Sequence, residues 1–350
     1  MRKKLEIIDV NEPQHVGKSE LTMEEKRRRR QRIKARQQAI KRRKRKRLLR
    51  FFVAVVGIAV LGVSVSRLDD WKLRWQKAEQ ADAVENQSVK ESNRIGELLY
   101  EEKYEEFFEE NKPEALEDAE VYQCLKKLAK EYPELKEIYE KREEYPLKLL
   151  AALCNNPEMQ EYVKGYLTYG AGDTSQTEKP ELTEAEKKQK YPLFLQWDKR
   201  WGYEEYGDFN IALSGCGPAT LAMAAVALTG DDTITPDRVA TYSMNNGYYV
   251  EGTGTAWSLM TDGCENWGIK AKEIVLDELV MKNELDEGKV IICSMRQGDF
   301  TSAGHFVMIY GYREEGFFIN DANCIYRSSR TWTYEELKNQ IRMLWVFEEK

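Results

Sequence analysis

The sequence predicts an α+β domain at residues 190–350, behind a membrane span and an acidic helical region. Three observations indicate the domain. An apolar, alanine-rich run that begins at Pro218 has the length and composition of a buried helix. Residues 304–312 and 316–323, GHFVMIYGY and GFFINDAN, have strand character and are separated by a short charged turn, as in an antiparallel hairpin. After a polar linker about 160 residues remain, which is enough for one domain with a sizeable core.

The charge of the chain is divided sharply along its length. Residues 1–50 carry 20 of the 54 lysines and arginines but 6 of the 60 aspartates and glutamates, a net of +14, so the remainder carries −20. The basic blocks at 27–30 and 41–47 resemble a nucleic-acid patch or a nuclear signal. Because they directly precede an apolar run, the positive-inside rule explains them more simply. We expect residues 1–47 to be a cytoplasmic tail that can contact anionic lipid, with no nucleic-acid partner.

Residues 48–67 are predicted to form a transmembrane helix. The run LLRFFVAVVGIAVLGVSVS contains a single charge, Arg50. A helix of this length spans about 28 Å, close to the hydrocarbon thickness of a bilayer. A cleaved signal peptide is the alternative, since small serines end the run, but the basic region in front is far longer than a usual n-region. The sequence favours an uncleaved single-pass anchor in the cytoplasmic membrane, with the N-terminus inside and residues 68–350 outside.

Residues 68–170 are predicted to form an acidic helical spacer, and residues 171–189 a polar linker. Apolar residues in the spacer recur at helical intervals: Ile95, Leu98, Leu99 and then Val121, Leu125, Leu128. Four prolines punctuate the run, several of them where a helix could begin: Pro113, Pro133, Pro146 and Pro157. We assign no chemistry to this region.

The stretch SGCGPATLAM places Cys216 at the start of the predicted buried helix, between Gly215 and Gly217. Pro218 suits the first helical turn, where its missing N–H has no partner to lose. Free N–H groups and the macrodipole at a helix N-terminus stabilise a thiolate. The two glycines let the backbone turn sharply and leave room for a substrate. Cys216 is therefore a candidate nucleophile; a buried cysteine that happens to begin a helix is the alternative.

A cysteine nucleophile needs a base, and the chain contains two histidines. His15 lies in the predicted cytoplasmic tail, which leaves His305, at the start of the predicted hairpin. If Tyr312 faces Gly316 in that hairpin, Asp321 becomes the diagonal neighbour of His305, within reach of a side-chain hydrogen bond. A carboxylate there would fix the imidazole tautomer and stabilise its protonated form.

The remaining requirement is an oxyanion hole. The backbone N–H of Cys216 can supply one donor, and the side chain of Gln196, twenty residues upstream, is the candidate for a second. Two histidines and the lack of a CxxC pair argue against a zinc site, and no cofactor is expected. The six cysteines do not indicate a disulfide framework.

Together, YPLFLQWDKRWG, SGCGPATLAMA, AGHFVMIYGY and FINDAN resemble the bacteriocin-processing-type cysteine peptidases, the peptidase C-thirty-nine-like family, over roughly residues 190–350. The order Gln, Cys, His, Asp is that of the family. The resemblance implies a papain-like α+β domain that hydrolyses peptide or protein substrates through an acyl-enzyme. It implies that Cys216 is the nucleophile and His305 the base. It also implies that Asp321 is the orienting acid and Gln196 the oxyanion donor. Studied members lie in the cytosolic part of exporters and cut after double glycine; an outward-facing domain does not share that context.

Two other functions are compatible with the same residues. An acyl transferase or amidase could use the same triad, because acyl-enzyme chemistry does not dictate the acceptor. A non-catalytic cell-surface module could bind peptide in the same groove without cutting it, although the intact Cys, His and Asp favour catalysis.

Overall fold

The computed structural model describes residues 104–170 and 179–350 of the chain. The predicted basic tail and membrane helix lie outside these ranges, as do Ile95, Leu98 and Leu99 of the predicted spacer. Among the helices of the two described ranges, none is long and apolar enough to cross a bilayer.

Residues 104–170, here called the helical region, contain five short helices. These are α1 Glu105–Glu110, α2 Asp118–Glu131, α3 Lys136–Glu140, α4 Leu147–Asn155 and α5 Gln160–Tyr169. Val121, Leu125 and Leu128 are buried along one side of α2, as their spacing predicts. Glu117 and Glu120 form a capping box at its start, which satisfies N–H groups that have no helical partner.

Three of the four prolines of this region stand at helix starts, as predicted. Pro146 is the N-cap of α4, while Pro133 and Pro157 are the first residues of single 3₁₀ turns. Pro113 lies instead in the irregular segment between α1 and α2. The 3₁₀ turns of the helical region are Pro133–Leu135, Arg142–Glu144 and Pro157–Met159.

Residues 179–350, here called the C-terminal region, have the predicted α+β character. The helices are α6 Ile211–Ser214, α7 Cys216–Thr229, α8 Pro236–Asn245, α9 Ser258–Thr261, α10 Glu278–Asp286, α11 Ile325–Ser328 and α12 Tyr334–Leu337, with 3₁₀ turns at Glu186–Lys188 and Gly263–Trp267. The strands are β1 Glu205–Tyr206, β2 Phe209–Asn210, β3 Tyr249–Val250, β4 Gly254–Thr255, β5 Ile269–Glu273, β6 Val290–Arg296, β7 Gly304–Arg313, β8 Gly316–Asp321, β9 Thr331–Trp332 and β10 Ile341–Glu349.

Six of these strands form one antiparallel sheet in the order β5-β10-β6-β7-β8-β9. Side chains alternate between its two faces, so that β7 contributes to two cores. Phe306 and Met308 pack with α7 on one face, whereas Val307 and Ile309 pack with α10 on the other. Most of α7 is buried on all sides, which explains why its sequence is apolar and rich in small alanines.

The helical region shares a hydrophobic core with the C-terminal region. Tyr203 and Ala212 pack among the apolar side chains of α2, α4 and α5. The rings of Tyr162 and Tyr203 stack with centroids 4.4 Å apart, and the Tyr162 hydroxyl donates to the Gly202 carbonyl at 3.0 Å. The sequence predicts a spacer at residues 68–170, and the described part of this stretch is packed against the C-terminal region. Helical periodicity shows that a face is apolar, not which surface covers it.

Candidate active site

Cys216 is the first residue of α7, as predicted, and Pro218 lies in the first turn. The hydroxyl of Thr220, one turn further, donates to the Phe306 carbonyl at 3.2 Å. This bond ties the start of α7 to β7 beside His305. Cys216 is partly exposed.

The glycines beside Cys216 allow neighbouring atoms to pack closely against the backbone. A Cβ on Gly217 would lie 2.6 Å from Cγ2 of Thr255 in β4, and a Cβ on Gly215 would lie 2.6 Å from the Ile211 carbonyl oxygen. Both distances are far below van der Waals contact. The space beside Gly217, predicted to be left for a substrate, is filled by the Thr255 side chain.

The hairpin of β7 and β8 has the predicted register at the site but a different one at its turn. Tyr312 faces Phe317 rather than Gly316, so the premise of the register argument is wrong by one residue. A β-bulge midway along β7 absorbs one residue. Beyond the bulge Val307 faces Asp321, as the predicted pairing requires.

His305 and Asp321 form the predicted side-chain contact. Nε2 of His305 lies 2.6 Å from Oδ1 of Asp321, and both side chains are buried. Because Asp321 binds Nε2, Nδ1 is the ring nitrogen left to face the Cys216 thiol, whose influence on the pKa of His305 indicates that the two side chains lie near each other. Burial opposes a charge on His305, but the Asp321 carboxylate and Cys216 outweigh it and raise the pKa of His305 to about 9.

Asp321 is also held by Arg327, a residue that sequence reasoning missed. Nε of Arg327 donates to Oδ2 at 2.6 Å, and the backbone N–H of Asn323 donates to Oδ1 at 2.8 Å. Burial opposes ionisation of Asp321, but Arg327 and His305 overcome it and lower the pKa of Asp321 to about 2. Nothing in the sequence distinguishes Arg327 from the neighbouring arginines, because its role depends on the turn after β8.

Gln196 is a buried residue rather than a surface one. Its backbone N–H donates to the Ala322 carbonyl at 2.7 Å, which places it beside the segment that follows Asp321. Its side-chain Nε2 donates to the Ala212 carbonyl at 2.7 Å, in the helix that precedes Cys216. The structure thus brings His305 and Asp321 into direct contact, with Cys216 near the imidazole. Gln196 lies between the elements that flank them.

Four of the other five cysteines are buried, unlike Cys216, and the fifth is Cys124. Cys264, Cys293 and Cys324 are fully buried, and burial raises the pKa of each thiol, that of Cys264 to about 11. Cys124 is partly exposed, and its thiol donates to the Cys154 backbone carbonyl. Cys124 is therefore a second thiol available to reagents, which sequence analysis did not single out.

The described ranges contain no group of three or more His, Cys, Asp or Glu side chains that could hold a metal ion. A surface cavity of about 570 Å³, lined in part by Thr229, Arg238 and Trp267, lies at the far end of α7. The fourteen residues of α7 separate it from Cys216 by about 20 Å. This cavity is not part of the candidate active site.

Comparison with known proteins bears on the C-terminal region. The model of the Peptidase_C39 like family matches residues 188–347. Among solved structures, the chain is similar to the peptidase domain of Streptococcus ComA, a bi-functional ABC transporter involved in a quorum sensing pathway. The identity is 17%, the alignment covers 46% of this chain and 99% of the ComA chain, and the TM-score is 0.31. No curated protein matches the chain.

Proposed function

We propose that residues 188–347, a cysteine peptidase domain of the Peptidase_C39 like family, hydrolyse peptide bonds through Cys216, His305 and Asp321. One observation carries the proposal. A partly exposed cysteine at a helix start lies near a buried imidazole, whose Nε2 is 2.6 Å from a buried carboxylate. A nucleophile, a base and an orienting group in this order are what acyl-enzyme chemistry needs.

In the proposed reaction the Cys216 thiolate attacks the carbonyl carbon of the scissile peptide bond. His305 holds a proton at neutral pH and donates it to the leaving amine, which completes the acyl-enzyme. His305, now neutral, takes a proton from water as that water attacks the thioester. The carboxylic acid product then leaves, and the thiolate and imidazolium are restored.

The oxyanion formed in each step needs two donors. The backbone N–H of Cys216 is one, since the first N–H groups of a helix have no partner within it. The amide of Gln196 has two N–H bonds, one of which is directed to the Ala212 carbonyl. We assign the other to the oxyanion.

We further propose that the domain acts on peptides or proteins outside the cytoplasmic membrane, on an anchor formed by residues 48–67. The support is the strongly basic stretch at 1–47, which precedes an apolar run long enough to cross a bilayer.

Alkylation with iodoacetamide at about pH 6 tests the nucleophile and its base. In a Cys124→Ser background, which removes the competing thiol, we expect selective modification of Cys216, measured by mass spectrometry. A thiol with no charged partner is about 0.3% ionised at this pH, so His305→Ala should abolish most of the reaction. Equal alkylation rates of Cys216 with and without His305 would refute the proposed pairing of Cys216 with His305.

Cleavage of a denatured protein mixture tests the reaction type. The full chain should generate new peptide N-termini that the Cys216→Ala chain does not. A chain that alkylates rapidly at Cys216 but yields no new termini would favour transfer or amidase chemistry. A chain that does neither would favour a binding module.

A further inference from the structure

The helical region reaches the segment that follows Asp321. Asn156 and Glu158 lie between α4 and α5 and bind backbone groups of residues 323–326. Nδ2 of Asn156 donates to the Asn323 carbonyl, while Oδ1 of Asn156 accepts the backbone N–H of Glu158 at 3.0 Å. The two side chains therefore act as one docking point on the C-terminal region.

Glu158 supplies the acceptors for the first turn of α11. Its Oε2 accepts the N–H of Ile325 at 2.8 Å, and its Oε1 accepts the N–H of Tyr326 at 2.9 Å. The N-cap residue of α11, Cys324, makes no side-chain cap bond of its own. A carboxylate at this position satisfies two N–H groups that lack helical partners and is favoured by the helix dipole.

Helix α11 in turn holds Asp321 by two groups. Nε of Arg327 donates to the Asp321 carboxylate at 2.6 Å, and Oγ of Ser328 accepts the Asp321 backbone N–H at 2.9 Å. A helix of four residues is too short to be stable by itself. Its position, and that of Arg327, depend on what binds its ends.

We propose that Glu158 is a positioning residue of the candidate active site: it fixes the start of α11, and α11 fixes the Asp321 carboxylate against His305. The inference rests on the proposed function in assigning a catalytic role to His305 and Asp321. It gives the helical region a part in the reaction, since the residue that orients the site lies 163 positions before the one it orients.

Because Glu158 is titratable, the strength of its hydrogen bonds to α11 depends on pH. Partial burial raises the pKa of Glu158 to about 7, against the two backbone N–H donors and Arg327, which favour the charged form. Arg327 and the Cys324 thiol are the charged and titratable groups that face it. An ionised acceptor binds N–H groups more strongly than a protonated one. The bonds from Glu158 to the start of α11 are therefore strong at about pH 8 and weak at about pH 5.5.

The test follows the proton on His305 Nε2 by NMR in the full chain labelled with ¹⁵N-histidine. The chain has two histidines, so loss of the signal in His305→Ala assigns it. The rate at which this proton exchanges with water reports how often the bond to Asp321 opens. Glu158→Gln removes the charge at constant size. Glu161→Gln is the matched control, on α5, where the side chain is 63% exposed and pairs with Lys164.

At about pH 8 we expect the proton to exchange about tenfold faster in Glu158→Gln than in wild type, the effect of weakening one charge-assisted hydrogen bond. At about pH 5.5 the two rates should agree within about twofold, and Glu161→Gln should match wild type throughout. A structural role without charge would instead change the rate equally at both pH values.

Equal rates at about pH 8, equal acceleration at both pH values, or the same effect in Glu161→Gln would overturn the inference. If Glu158→Gln does not fold, Glu158→Asp, too short to reach both N–H groups, takes its place with faster exchange expected at about pH 8. A wild-type chain that shows no hydrogen-bonded His305 proton would overturn the proposed catalytic pair instead, so the two failures are distinguishable.

Discussion

Removing the charge of Asp321 should shift the titration of His305 by more than two pH units. Asp321 is the main group that raises the pKa of His305 to about 9, against the burial that lowers it. Without the carboxylate, the pKa should fall towards its ordinary value of about 6.5. At pH 8 the imidazolium fraction would then drop from about 90% to about 3%, and turnover by about thirtyfold, because the protonated ring is the proposed general acid.

Asp321→Asn alone does not isolate this effect. It leaves the Arg327 guanidinium, whose side chain is 4% exposed, without its carboxylate. Removing one partner of a buried ion pair costs about 3–5 kcal/mol of stability. The double variant Asp321→Asn with Arg327→Met removes both charges. It leaves an amide oxygen that can still accept the His305 N–H and orient the ring.

The assay is an NMR titration of the His305 imidazole, with Arg327→Met as the reference because it retains the Asp321 charge. The reference should titrate near pH 9, and the double variant near pH 6.5 or below. The fall in peptide-cleavage rate at high pH should move in parallel, from near pH 9 in the reference to near pH 6.5 or below in the double variant. At about pH 5.5 the two variants should cleave at nearly equal rates. A His305 midpoint that stays near 9 in the double variant would refute the electrostatic account of the site.

Two further predictions concern the oxyanion donor and the topology. Gln196→Ala should lower the turnover of peptide cleavage by about a hundredfold, the typical effect of one lost oxyanion donor, while thermal unfolding shows that the domain is still folded. Gln189→Ala, outside the candidate site, is its control, and unchanged turnover in Gln196→Ala would remove Gln196 from the mechanism. Protease added to intact cells should digest residues 68–350, and complete protection would contradict the proposed topology. A mature N-terminus just after Ser66 would favour a cleaved signal peptide over the anchor.

The sequence by itself was sufficient for the local features of the site. Pro218 and the apolar run behind it indicate a helix that begins at Cys216. Both signals, the preference of proline for the first turn and the apolar composition of a buried helix, come from residues adjacent in the sequence. Two strand-like runs and a charged turn indicate a hairpin that carries His305 and Asp321. With two histidines in the chain, one of them in the predicted tail, the candidate base could be named from the sequence. The anchor and the outward topology remain predictions.

The tertiary structure decided which groups surround these residues. The register at Asp321 depends on a β-bulge in β7 that compensates an offset at the turn, and alternation of side chains does not reveal a bulge. The space beside Gly217 is filled by Thr255, which lies 38 residues away. Arg327 and Glu158 join the site only because a short turn and a distant helical region are packed against β8. Sequence patterns record whether a side chain is buried or exposed, whereas the partner that it meets depends on contacts between segments far apart in the chain.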